Sequence, residues 1–276
     1  MRTLLGALAC AVLLTACGSS PQPHDVGTPA EFATAWHELA AIGDRPTVEL
    51  NAGDRPPPPR GFTDADMDVL AKDAVSVLRR SISPEVELKS PSDAIAYVTA
   101  ELTPATVAEW TKRVDAASAG QDWEWQAASL FQTPSRTPAR IIKVEWDVRT
   151  APGALADGTP HDQLILRLQV FVVHLRGTTS NPRTIMIRRT VRMAAYKPRG
   201  GPHFFPGIDV LTSPWGNRGC ALLSSSVLYP TDDIGELRRD VIAARKALAA
   251  TTVQDTLPAS PAELLEIAKR CAARAG

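Results

Sequence analysis

The sequence carries no surplus of either charge: 30 Lys+Arg stand against 30 Asp+Glu, a formal net charge of +0. Polyanions such as nucleic acids are held chiefly by positive charge, so that balance removes them as expected partners. No uninterrupted apolar run reaches the roughly twenty residues needed to cross a bilayer core as a helix. Catalytic signatures are missing too. There is no Gly-x-Ser-x-Gly elbow, and Ser224-Ser225-Ser226 falls in an expected strand, without the sharp turn that exposes a nucleophile. His37-Glu38 begins like a zinc-protease helix, but position 41, where the second histidine belongs, is Ala41. Asp64, Asp66 and Asp68 imitate the start of a calcium loop, yet Val69 and Val75 stand where that loop needs glycine and glutamate. Those acids suit the positive end of a helix dipole better. No Cys/His cluster has zinc spacing and no glycine-rich loop cradles phosphate, so neither metal nor cofactor is expected.

What is present begins at the N-terminus. Arg2 is followed by the apolar stretch Leu4 to Leu14, then Thr15-Ala16-Cys17 and the small, proline-containing segment Gly18-Ser19-Ser20-Pro21-Gln22-Pro23. The apolar stretch has the length of a signal-peptide core, not of a membrane span. Leu14-Thr15-Ala16-Cys17 resembles the lipobox of bacterial lipoproteins. The resemblance implies that residues 1–16 are removed, that Cys17 is lipidated and becomes the first mature residue, and that the chain is held at the extracytoplasmic face of the cell membrane. Residues 17–27 then read as a flexible tether. An ordinary secretory signal that happens to contain a cysteine is the alternative.

Of the four cysteines, Cys10 would leave with the signal and Cys17 would carry lipid. Cys220 and Cys271 remain, an even pair in an oxidising compartment, and a disulfide between them is expected. It would close a loop of about fifty residues, worth about 4 kcal/mol by chain entropy. Two buried free thiols are the alternative.

The 44% apolar content supports a substantial core. Helix starts are marked by Thr28-Pro29-Ala30-Glu31, Thr63-Asp64-Ala65-Asp66, Ser90-Pro91-Ser92-Asp93, Thr103-Pro104 and Ser260-Pro261-Ala262-Glu263. Stripes at helical spacing agree: Phe32, Trp36 and Leu39; Met67, Leu70, Ala74, Val77 and Leu78; Ile234, Leu237, Val241 and Leu248. Between the helical regions the period changes to two. Ile142–Arg149, Leu164–Leu175 and Thr184–Tyr196 read as strands, the last two joined as a hairpin through Gly177–Pro182, with Cys220–Tyr229 as a fourth. Gly200–Gly219 reads as a loop. The expected class is α+β: N-terminal helices on a curved antiparallel sheet of about four strands, closed by C-terminal helices. Residues 28–61 read as a short helix with a proline-rich connection, and 62–276 as one domain.

In its element order, the segment 62–230 resembles the nuclear-transport-factor-2-like fold, which implies a cone-shaped domain with an internal pocket. Candidate binding residues follow from polar or aromatic side chains in unusual places. Arg189 falls among Ile185, Ile187, Val191 and Met193 on one strand face, where it would grip an anionic ligand, turn outward at a bulge, or pair with an acid such as Asp209. His174 follows Leu164–Val172 on a similar face, near a strand end where exposure is expected. His203, Phe204, Phe205 and Trp215 lie in the presumed loop and would either fold back on the core or meet a partner. Arg167, Arg188 and Arg192, with Glu145 and Asp147, read as a solvated mixed-charge face, a basic patch for anionic lipid heads being the alternative. The function expected is a lipid-anchored, non-catalytic binding or scaffold domain with an envelope-protein partner. A carrier of a small hydrophobic or anionic ligand is the alternative, and an unfamiliar hydrolase a lesser one.

Overall fold

The computed structural model describes residues 26–104, 106–108, 129–131, 138–154, 158, 160–178, 181–198, 207–219, 227–253 and 269. Helix α1 (Pro29–Gly43) begins where the Thr28 hydroxyl accepts from the Glu31 amide and the Glu31 carboxylate accepts from the Thr28 amide. Thr63 and Asp66 make the same exchange at the head of α2 (Asp64–Ser81), and Ser90 caps α3 (Pro91–Thr99). Each cap satisfies amides that no helical carbonyl can reach. Helical residues resume at Pro104, where the Thr103 and Thr106 hydroxyls donate to the buried Asp73 of α2 at 3.0 and 2.6 Å. The acids at the head of α2 serve the chain itself: Asp66 completes the cap while Asp64 and Asp68 hold Arg55 at 2.9 and 2.7 Å. The start expected at Ser260 lies outside the described residues.

Four strands, β1 (Arg140–Ala154), β2 (Pro160–Thr178), β3 (Asn181–Pro198) and β4 (Gly207–Trp215), form an antiparallel meander in chain order. A further helix, α4 (Ile234–Ala249), follows. With helices on both sides of an antiparallel sheet, the fold is α+β, as the change of period implies. The fourth strand is a correction. It occupies the segment read as a loop, pairing Val210 with Val191 and Ile208 with Met193. Gly207 and Pro214 disguise it, but β4 is the edge of this sheet, where a proline is tolerated because one side of the strand needs no partner. Of the segment expected to be that strand, residues 220–226 lie outside the description and Leu228 makes an isolated parallel bridge to Phe131.

The β2–β3 hairpin is buried on both faces. Leu164, Leu166, Leu168, Val170 and Val172 pack with Val191 and Met193 against Met67, Leu70, Ala74, Val77 and Leu78 of α2. On the reverse face Phe171, Val173, Met186 and Trp215 meet Trp36 and Leu39 of α1 and Leu237, Val241 and Leu248 of α4. Each fully buried Leu or Val stabilises by about 1.5–3 kcal/mol, so this double cover is the main source of cohesion. Two glycines make the sheet ends possible. Gly177 takes φ +80° at the hairpin turn, where a Cβ would collide with the Asn181 carbonyl oxygen. Gly216, φ +76°, ends β4 against Trp36 and Leu39 with no room for a side chain.

Asp240 of α4 secures that second turn by accepting the Gly216 amide at 2.6 Å. Burial pushes its carboxyl up to about 7, with Glu236 adding to the rise, while the Gly216 and Asn217 amides and Arg239 oppose it. An unfolded aspartate ionises near pH 4, so between about 4 and 7 the folded chain keeps a proton the unfolded chain has lost. Stability therefore falls as pH rises through that window. Relative to Asp240→Asn, the native chain should lose roughly 2–4 kcal/mol between pH 4 and pH 8, read from urea midpoints. Parallel pH curves for the two chains would contradict this.

Candidate functional site

Because side chains alternate along a strand, the row Leu164–Val172 continues through His174 and Arg176, past the end of α2. The chain leaving α2 turns back over this row and brings Glu87 down onto it. That turn is fixed to a second segment, since the Phe131 amide donates to the Glu87 carbonyl at 2.8 Å and the Leu228 amide to the Leu130 carbonyl at 2.8 Å. Three ionisable groups thus meet in a dry place: Glu87, His174 and Arg176 are 4%, 0% and 7% exposed. Glu87 Oε1 lies 3.1 Å from Arg176 Nη2 and 3.5 Å from His174 Nδ1. Phe131 closes the group, its ring 4.8 Å from the imidazole and its face 3.4 Å from the Arg176 guanidinium carbon. A guanidinium between a carboxylate and an aromatic face is held in one orientation.

Burial lowers the pKa of His174; Glu87 pulls the other way and Arg176 reinforces the fall. The imidazole is neutral near pH 7, so the ionic contact of the group is Glu87 with Arg176. Burial also lowers the Arg176 pKa, and Glu87 restrains the loss. His174 is therefore not at an exposed strand end as expected: the turn after α2 and the Phe131 segment extend the cover beyond the helix.

Outside this cluster lies a cleft of about 360 Å³ at the hairpin end. One wall is the turn, with Arg176, Asn181 and Arg183; the other comprises Leu228, Tyr229 and Pro230, with Phe131 at the join. Arg176 and Arg183 are direct cross-strand partners. Like charges in that position repel, and among the described residues only Arg176 has a carboxylate to answer it. The half-buried Arg183 makes no ion pair or side-chain hydrogen bond among the described residues, nor does the Tyr229 hydroxyl.

The residues singled out from sequence are placed elsewhere. Arg189 does face the α2 side of the sheet and is fully buried, but it does not line the cleft. Its Nε donates to Thr212 Oγ1 at 3.2 Å and its Nη1 to the Ser81 carbonyl at 3.1 Å, so it closes the end of α2 onto β3. No acid pairs with it among the described residues, Asp209 standing opposite Arg192 instead, and burial pushes its pKa down to about 9. Trp215 ends β4 on the reverse face, 7% exposed and stacked parallel on Phe171 with centroids 6.3 Å apart. It folds back onto the core. The mixed-charge face is not solvated as expected: Arg167 and Arg188 are 8% and 5% exposed, and Arg167 donates to Asp147 at 2.8 Å. Cys17, Cys220, Cys271, His203, Phe204 and Phe205 lie outside the described residues.

Sequence reasoning missed Glu87, Phe131, Arg176, Arg183 and Tyr229. Two of these left a trace, since Arg176-Gly177 and Pro182-Arg183 bracket the hairpin turn symmetrically and must face each other once the strands pair. No match to this chain is found among protein-family models, curated proteins or solved structures.

Two substitutions test the buried charges. Glu87→Gln leaves Arg176 without its counter-charge and should cost about 3 kcal/mol in urea unfolding. A cost under about 1 kcal/mol would mean that the carboxylate does not hold the cluster. Arg189→Met exchanges a buried cation without an acid for an apolar chain of similar length. It should be neutral or stabilising by about 1–2 kcal/mol, whereas a large loss would show that Arg189 has a charged partner.

Proposed function

We propose that the chain is a lipoprotein, tethered through Cys17 to the extracytoplasmic face of a membrane, whose folded part is a non-catalytic binding domain. The anchor reading is supported by the ordering of Arg2, the short apolar stretch, Leu14-Thr15-Ala16-Cys17 and the Gly/Ser/Pro tether. No helix among the described residues is long and apolar enough to cross a membrane. Under this reading the lipid is the membrane attachment, and several acyl chains are needed for it to be stable. A Cys220–Cys271 disulfide belongs to the same reading, since it requires the oxidising side of the membrane.

The observation that carries the binding reading is the lining of the cleft at the hairpin end. A volume of about 360 Å³ lies in the range of small-molecule sites. Its walls offer hydrogen-bond donors beside an apolar strip, which is a holding arrangement. His174, the imidazole beside Phe131, is fully buried and is not among the residues that line the cleft, so that proton-moving group is withdrawn from it. Support for a rigid site is structural: Arg176 is fixed by Glu87 and Phe131, and Gly177 fixes the turn. A small-molecule ligand suits this concave lining better than an envelope protein does.

Intact-mass measurement of the protein recovered from its own host's envelope tests the anchor. The expected chain begins at Cys17 and carries added acyl mass, and Cys17→Ala leaves the membrane fraction. A soluble, unacylated native chain overturns the anchor. Two alkylatable thiols in the unfolded, non-reduced mature chain would dispose of the disulfide.

A further inference from the structure

We infer that the cleft at the β2–β3 turn is a phosphate-ester site, with Arg183 and Tyr229 as the gripping side chains and Arg176 as a fixed backstop. The inference rests on the binding-domain reading and names its ligand chemistry. Three observations lead to it. Among the described residues the lining contains two guanidinium groups and no carboxylate. Those guanidinium groups are cross-strand partners, an arrangement that is unfavourable unless negative charge lies near both. Glu87 supplies that charge to Arg176 from behind, and nothing among the described residues supplies it to Arg183. Among the described residues Glu87 answers Arg176, no acid answers Arg183, and the buried His174 adds no charge near pH 7. Arg183 is thus a cation at the cleft that no described acid neutralises, across from the apolar wall of Leu228 and Pro230.

The shape selects among anions. Residues able to donate line the cleft from two separate segments, Arg183 and Asn181 from the hairpin turn and Tyr229 from the facing wall. A carboxylate presents two oxygens in one plane, which a single guanidinium fork satisfies. A phosphate monoester presents three oxygens in a pyramid and can accept from both walls at once. The volume exceeds what a bare phosphate fills, and Leu228, Pro230 and the Phe131 ring give the remaining space an apolar surface. The ligand is thus a phosphate carried on a small organic body with an apolar portion. Two sources provide that chemistry, the headgroup of an anionic lipid in the adjacent membrane and a free phosphate ester.

Calorimetric titration of the full mature chain in neutral-detergent micelles tests this, with glycerol 3-phosphate, a short-chain phosphatidic acid, glycerol and inorganic phosphate as probes. Glycerol 3-phosphate and phosphatidic acid should bind, with glycerol silent and inorganic phosphate weaker. Tighter binding of phosphatidic acid by tenfold or more assigns a lipid headgroup, and equal binding a free ester. Arg183→Met should weaken binding at least tenfold, Arg183→Lys less, and Tyr229→Phe several-fold, with unchanged urea midpoints because neither side chain holds the fold together. Arg189→Met, which lies outside the cleft, should bind as the native chain does. Absence of phosphate-ester binding by a folded native chain, or unchanged binding by Arg183→Met, overturns the inference. In that case native mass spectrometry of the envelope-derived protein still decides the broader reading. A bound uncharged molecule lost on Tyr229→Ala keeps the binding domain and removes only the phosphate chemistry. A chain that carries no ligand, from the envelope or among the probes, removes both.

Discussion

The long β2–β3 hairpin has to be dry on both faces, and nearly every other element follows from that requirement. The residues of β2 from Leu164 to His174 are buried regardless of the face they occupy. A two-stranded ribbon of this kind cannot stand alone in water. One face takes α2 and α3, the other takes α1 and α4, and the chain supplies these covers from both ends of the sequence. That is why a helix beginning at Pro29 and another beginning at Ile234 belong to one layer, joined by Arg238 to Glu31 at their surface. The arrangement makes one cover late, since the face beneath α1 is not closed until α4, formed after the whole sheet, is in place.

The hairpin outruns its covers, and that mismatch creates the site. α2 ends at Ser81, beneath Arg189, while β2 continues through His174 and Arg176 to its turn. A helix covers apolar residues well but has nothing to offer an ionic row. The turn carrying Glu87 and the bridge between Phe131 and Leu228 take over there, and they bring a carboxylate and a ring instead of leucines. Cover made from loops is thinner than cover made from helices, and it leaves a cleft where the two segments fail to meet.

How much of this can be read from sequence depends on whether the signal is local. Capping residues act within four positions, so Thr28, Thr63 and Ser90 mark their helices without knowledge of the rest. Strand alternation likewise marks β1, whose charged residues Lys143, Glu145, Asp147 and Arg149 fall at every second position. β4 hides because an edge strand tolerates the glycine and proline that signal a loop elsewhere, and its apolar residues make sense only beside Val191 and Met193. Glu87 hides for a stronger reason. Its partners lie nearly ninety positions away, and nothing in its own neighbourhood distinguishes it from a surface acid. The burial of Arg167 and Arg188 was missed similarly, because alternation shows that two faces exist but not whether the polar one is covered.

Two arginines on the same strand contrast a cation that the fold accounts for with one that the described residues leave unexplained. Arg189 is the more conspicuous in sequence, a cation amid Ile187 and Val191, and it is completely enclosed. Yet its hydrogen bonds go to Thr212 and to the last carbonyl of α2, which tie β3 to β4 and to the helix end, so the fold accounts for its place. Arg183 is unremarkable in sequence, beside a turn where charged residues are common. In the folded chain it is half-buried, opposed by a second guanidinium and without an acid beside it among the described residues, which give no reason for that cost. A residue whose buried donors meet acceptors of its own chain is explained by the fold, whatever its net effect on stability. One that stands at a cleft opposite a like charge, with no acid beside it among the described residues, is not explained that way, and it is where a ligand should be sought first.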